Sequence, residues 1–121
     1  MSDRDIRTIP LADAAKLHAR SVTEPTVALF VDPRSPASYA KGHIPGARNL
    51  VLSAADQDRG TDPSINRYET LVVYGDHPGS AGAKAMAKRL MTAGYSKKKV
   101  KLLGEGLSAW ESAGLPVDAD E

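Results

Sequence analysis

Leu71-Val72-Val73-Tyr74-Gly75-Asp76-His77-Pro78-Gly79-Ser80 is the stretch whose reading decides the fold. Four consecutive apolar residues ending at a glycine read as a buried strand of a parallel sheet covered on both faces. Ser80 can cap a helix running through about Ala93, with Ala83, Met86, Ala87, Leu90 and Met91 on its packed face and Gly94 placed to end it. The same alternation continues outward in both directions. Upstream, Val27-Ala28-Leu29-Phe30-Val31 is a second unbroken apolar run, ending at Asp32. Ser35-Pro36 then supplies a cap and a first helical proline for a short helix through Tyr39 that stops at Gly42. Earlier still, Pro10 opens a helix carrying Leu11, Ala14, Ala15 and Leu17 to about Arg20, which the Glu24-Pro25 step stops. Downstream, Val100-Lys101-Leu102-Leu103 predicts a short strand and Leu107 to Ala113 a helix. The polar residues 53 to 67 read as a surface connection with at most a brief helix. Strands alternating with helices give an α/β fold.

Composition sets the scale. With 121 residues, 41% hydrophobic and 26% charged, residues 1–121 are expected to form a single domain with its core at about 9–117, flexible ends and a frayed stretch from Asp118 to Glu121. A formal net charge of +1 supplies no long-range field, so neither nucleic acid nor a membrane is expected as a partner. The opening Met1-Ser2-Asp3-Arg4-Asp5-Ile6-Arg7 has no apolar signal core and no run is long enough to span a bilayer, so a cytoplasmic location is the expectation. There is no cysteine, which excludes disulfides, thiolate metal sites and any persulfide carried by this chain. No cofactor is expected.

Two segments flanking the central unit carry a family resemblance. Asp32-Pro33-Arg34-Ser35-Pro36-Ala37-Ser38-Tyr39-Ala40-Lys41-Gly42-His43-Ile44-Pro45-Gly46-Ala47 resembles the first signature of the rhodanese-like (sulfurtransferase) family, and Val100-Lys101-Leu102-Leu103-Gly104-Glu105-Gly106-Leu107-Ser108-Ala109-Trp110 resembles the second. The resemblance spans about residues 9 to 117. It implies a doubly wound domain whose small, mostly parallel central sheet is flanked by helices on both sides. In active relatives a nucleophilic cysteine follows the central strand, cradled by backbone N–H groups and by the start of the next helix, which together stabilise a thiolate, persulfide or oxyanion. Here that position is Gly75. The arginine that often follows the cysteine is replaced too, with Ser80 and Ala81 in its neighbourhood. Two such losses in one loop argue against sulfur transfer.

Several residues remain candidates. Gly75, Asp76, His77, Pro78, Gly79, Ser80, Ala81 and Gly82 could still form a weak anion-binding nest, Gly75, Gly79 and Gly82 allowing positive φ or close backbone approach; the plain alternative is a tight strand-to-helix turn. Asp76, His77 and Ser80 are the ingredients of a serine triad, but nearness in sequence does not make one, and a solvated histidine with a capping serine is the favoured reading. His77 with Asp76 lacks the further ligands that a metal site needs, so no metal is expected. Asp32 and Arg34 stand at a strand's carboxyl end and could line a pocket, or Asp32 could bond loop N–H groups while Arg34 makes an ion pair that fixes the loop. With Ala37 and Ser38 where the family commonly has an acidic residue, the resemblance leaves Arg34 without its usual partner. His43 reads as a hydrogen-bonded hinge of its turn, and Leu107 and Trp110 as core anchors. Lys97, Lys98, Lys99 and Lys101, with Lys84, Lys88 and Arg89, make a basic rim that is either solvated or a dock for an acidic protein. The resulting expectation is an inactive rhodanese-like binding or regulatory module for a protein partner or small anion. Its rival is a sulfurtransferase-related enzyme that borrows a cysteine from a partner chain or uses other loop chemistry.

Overall fold

The computed structural model describes residues 3–51 and 61–119. Its sheet has five strands: β1 (Arg7–Thr8), β2 (Ala28–Asp32), β3 (Arg48–Asn49), β4 (Thr70–Tyr74) and β5 (Val100–Leu103). They stand in the order β1-β5-β4-β2-β3, and every pairing is parallel. β2, β4 and β5 are the apolar runs anticipated from sequence. β1 and β3 have two residues each, too few to leave a hydrophobic period in the sequence.

The helices are α1 (Leu11–Thr23), α2 (Pro36–Lys41), α3 (Pro63–Asn66), α4 (Ala81–Ala93) and α5 (Gly106–Ser112). Strand alternation divides the core between the two faces of the sheet. Leu29, Val31, Leu71, Val73, Val100 and Leu102 pack against Ile65 of α3 and the Ala83, Met86, Ala87, Leu90 and Met91 face of α4. Ala28, Phe30, Val72, Tyr74 and Leu103 pack against Ala14 of α1 and Leu107 and Trp110 of α5. Trp110 is fully buried, its indole N–H donating to the Pro116 carbonyl at 2.7 Å, so the reading of Leu107 and Trp110 as anchors holds.

Local chemistry explains the helix ends. Ser35 accepts from the Ser38 N–H and Pro36 opens α2; Ser80 accepts from the Ala83 N–H at 3.2 Å and caps α4. Gly94, at φ 122°, closes α4 by donating to the Leu90 and Met91 carbonyls. α1 departs from expectation at both ends. Pro10 precedes the helix as an extended cap, and the helix runs a turn beyond Arg20, where an Arg20–Glu24 pair at 2.7 Å links successive turns. The brief helix expected between residues 53 and 67 is α3; residues 52–60 of that connection lie outside the described residues. Asp118 is not frayed, because it exchanges two 2.8 Å backbone hydrogen bonds with His43. Among the described residues no helix is long and apolar enough to cross a membrane.

Candidate functional site

Parallel strands bring the loops that follow β2 and β4 side by side at the sheet's carboxyl end, since β2 and β4 are neighbours in register. The first loop starts at Asp32, which is completely buried. Arg34 lies across it: its Nε donates to Asp32 Oδ1 at 2.9 Å and its Nη2 to Oδ2 at 2.7 Å, while the Arg34 backbone N–H donates to Oδ1 at 3.0 Å. Nη2 also donates to the Gly42 carbonyl, tying the guanidinium to the turn that follows α2. The Tyr74 hydroxyl completes the group, donating to Asp32 Oδ2 at 2.7 Å and accepting from the Ile44 N–H at 3.1 Å. Burial first, and then the charge and hydrogen bond of Asp32, push the Tyr74 hydroxyl well above the ordinary phenol range, so it stays a donor. Burial works against the Arg34 charge, but its bonds to the Asp32 and Asp76 carboxylates outweigh this and raise its pKa further.

Of the two readings of the first loop, the structure displays the fixing arrangement: Asp32 accepts from the loop N–H of Arg34, and Arg34 makes the ion pair. The acidic residue usual near the tyrosine is absent, as read from the sequence, and Arg34 is paired by other residues. Asp32 and, across the loops, Asp76 at 2.8 Å stand in for the absent acid, as the topology joins residues 42 positions apart. His43 is a buried hinge, as anticipated. Its Nδ1 lies 2.7 Å from the Tyr39 carbonyl and its ring stacks on Tyr39 with centroids 3.8 Å apart. His18 carried no such signal in the sequence, yet it is buried edge-on to Phe30 and Trp110, with Nε2 2.9 Å from the Pro45 carbonyl of the same turn.

The second loop is built differently. Gly75 is buried, Asp76, His77, Pro78 and Gly79 are exposed, Ser80 is half-buried, and Ala81 and Gly82 are exposed at the start of α4. The three glycines serve three purposes. Gly79 has φ 75°, a conformation that favours glycine. Gly75 is needed for space: a Cβ there would meet Ser80 Oγ at 2.2 Å and Ser80 Cβ at 2.4 Å. Gly82 shows neither need, since a Cβ would find only Ser80 Oγ, at 3.8 Å. The Ser80 side chain therefore sits where a side chain on residue 75 would begin.

The loop is also held from behind. Leu107 and Ser108, at the start of α5, donate their N–H groups to the Gly75 and Asp76 carbonyls at 2.8 and 2.9 Å. Gly106, at φ 77°, packs so closely that a Cβ would lie 2.9 Å from the His77 backbone. A serine triad is not assembled. Asp76 is bonded to Arg34, Ser80 Oγ accepts from the Ala83 N–H, and among the described residues no hydrogen bond links His77 to either. Nor do the described residues contain a cluster of three or more metal-ligating side chains.

The basic rim is not one surface. Lys97 pairs with Asp5 at 3.1 Å, and Lys99 donates to the Asn66 carbonyl at 2.7 Å while its ammonium lies 5.9 Å from the Tyr95 ring centre. Lys101 alternates with Val100 and Leu102, which face α4, so it stands on the other side of the sheet from the helix carrying Lys84, Lys88 and Arg89.

Comparison with known proteins agrees with this architecture. The fold resembles the solved rhodanese-like domain of an Anabaena protein (24% identity, 93% of this chain and 78% of that chain, TM-score 0.67). It also resembles an As-Sb reductase from Leishmania major (18% identity, 90% and 79%, TM-score 0.72). A thiosulfate sulfurtransferase from Pseudomonas aeruginosa matches at 28% identity over 95% of this chain with a TM-score of 0.73, although this chain spans only 20% of that protein. The rhodanese-like domain profile matches residues 13–113. With both signatures, the parallel sheet and most of its length accounted for by that match, the chain belongs to the rhodanese-like domain family, as a member without the active-site cysteine.

Proposed function

We propose that this chain is a catalytically silent rhodanese-like module with a binding or regulatory role, whose loop between β4 and α4 holds small oxyanions weakly. The observation that carries the silence is the placement of Ser80: besides the missing sulfur, the space where a residue-75 side chain would begin is taken by Ser80 Oγ and Cβ. A cysteine borrowed from another chain would meet that same side chain if it took the place of a residue-75 side chain. Support for the loop's residual affinity comes from its backbone. Among the described residues nothing accepts from the Asp76 and His77 N–H groups, and the thirteen-residue α4 points its positive end toward the same loop. A cytoplasmic setting accompanies this reading and is checked by cell fractionation.

The activity test is a thiosulfate–cyanide assay of the purified chain and of Gly75→Cys. We expect background rates from both, because the new side chain meets Ser80; turnover by the unaltered protein would overturn the reading. The binding test is an amide chemical-shift titration with sulfate, phosphate and thiosulfate. Saturable shifts confined to residues 75–82 are expected, and their absence would remove the anion from the proposal.

A further inference from the structure

We infer that Asp76 is a tethered anion occupying an oxyanion site whose cationic wall is Arg34, so that the loop is a self-occupied binding site; this deepens the loop reading above and rests on it. The donors of Arg34 set the geometry. Nε and Nη2 are committed to the buried Asp32 carboxylate and the Gly42 carbonyl, within the first loop and its turn. Nη1 alone crosses to the second loop, where Asp76 Oδ1 meets it at 2.8 Å.

The two partners differ in freedom. The Arg34 side chain is 11% exposed and fixed by three oxygens, whereas the Asp76 side chain is 50% exposed and bonded to Arg34 at one oxygen. The guanidinium is thus a fixed wall and the carboxylate its removable occupant. Charge points the same way. Asp32 and Arg34 neutralise each other, so Asp76 leaves the trio at about −1 and repels any second anion approaching Nη1. Removing the Asp76 side chain removes that repulsion and vacates the place at once. The ligand that fits is a small free oxyanion of the sulfate or phosphate class, able to bridge a guanidinium N–H and backbone N–H groups.

The test compares the full chain with Asp76→Ala, a substitution at a half-exposed position that leaves the Asp32–Arg34 pair in place. Sulfate is titrated at constant low ionic strength while loop amides and the Arg34 Nε–H resonance are followed. The variant is expected to bind about tenfold more tightly, with the Arg34 signal moving at the same midpoint. Adding Arg34→Lys is expected to abolish that gain. Wild-type saturation with a variant affinity within twofold of it would overturn this inference and leave the loop reading standing. A saturable response from Asp76→Ala alone would support the self-occupied site and overturn weak binding by the native loop. Silence from both would remove both, and loop shifts without movement of the Arg34 resonance would remove Arg34 from the site.

Discussion

Two loops leave the carboxyl end of one sheet from adjacent strands, and they are held by opposite means. The loop after β2 is fixed by buried polar groups: Asp32, at 0% exposure, sits in a network with Arg34, Tyr74 and the Ile44 N–H, and His43, at 5%, is bonded to the Tyr39 carbonyl in the turn that follows. No buried side-chain polar atom among the described residues is left without a partner. The loop after β4 is mostly exposed, and it is held by backbone bonds to α5 and by small residues fitted against Ser80. A buried polar network must stay complete, because each orphaned group costs its full desolvation. A position defined by space alone can lose its side chain once a neighbour moves in. In this chain the buried network is complete while residue 75 carries no side chain.

The comparison is put at greatest risk by breaking the first loop. Asp32→Ala leaves a nearly buried guanidinium with one half-exposed carboxylate and the Gly42 carbonyl, and is expected to cost about 3–5 kcal/mol in urea unfolding. A cost below about 1 kcal/mol would mean that the network is incidental. Next comes Gly75→Ala, which forces a methyl group against Ser80 and is expected to cost about 1–3 kcal/mol by overpacking. The same substitution in a Ser80→Gly background should regain about 1 kcal/mol or more, since glycine replaces the cap at a cost of only a few tenths. Additive effects would show that Ser80 is not what fills the space. Asp76→Ala removes a half-exposed carboxylate from a guanidinium that keeps Asp32, so its expected cost is no more than about 1 kcal/mol despite its effect on anion affinity.

The smallest effect sharpens the contrast from outside both loops. Asp62, capping α3, has its pKa held below the ordinary carboxylate value, first by the Ser64 backbone N–H and then by the Ser64 hydroxyl. Its ionised form is therefore favoured by folding. That contribution is complete above the unfolded-state pKa of roughly 4 and is lost as pH falls through the lower folded value. Asp62→Asn should flatten this part of the stability profile below about pH 4 while leaving stability near neutrality little changed. An unchanged acid slope would show that the cap is not coupled to folding.

The β2, β4 and β5 runs were legible in the sequence because burial on both faces writes itself as consecutive apolar residues. The capping serines, the Gly94 stop and the core face of α4 were legible for the same kind of local reason. What was not legible depends on contacts between distant residues. Sequence can name Gly75 as the lost nucleophile position, but only the folded chain puts Ser80 into its place. It can propose an ion pair for Arg34, but not that Asp76 completes it from 42 residues away. Tyr74 reads simply as the end of an apolar strand, although its hydroxyl bridges Asp32 and the Ile44 N–H. The edge strands escaped for another reason: two residues satisfied by pairing with a neighbour need no pattern of their own.

Those short edges also bear on how the molecule meets others. Among the described residues the outer strands offer only Arg7–Thr8 at one side and Arg48–Asn49 at the other, too little unpaired backbone to template a ladder with a foreign strand. Growth of the sheet by strand addition, the route to fibrils and to promiscuous edge-to-edge sticking, is thereby blunted. Any contact along the flanks therefore gains little from backbone pairing and rests on side chains.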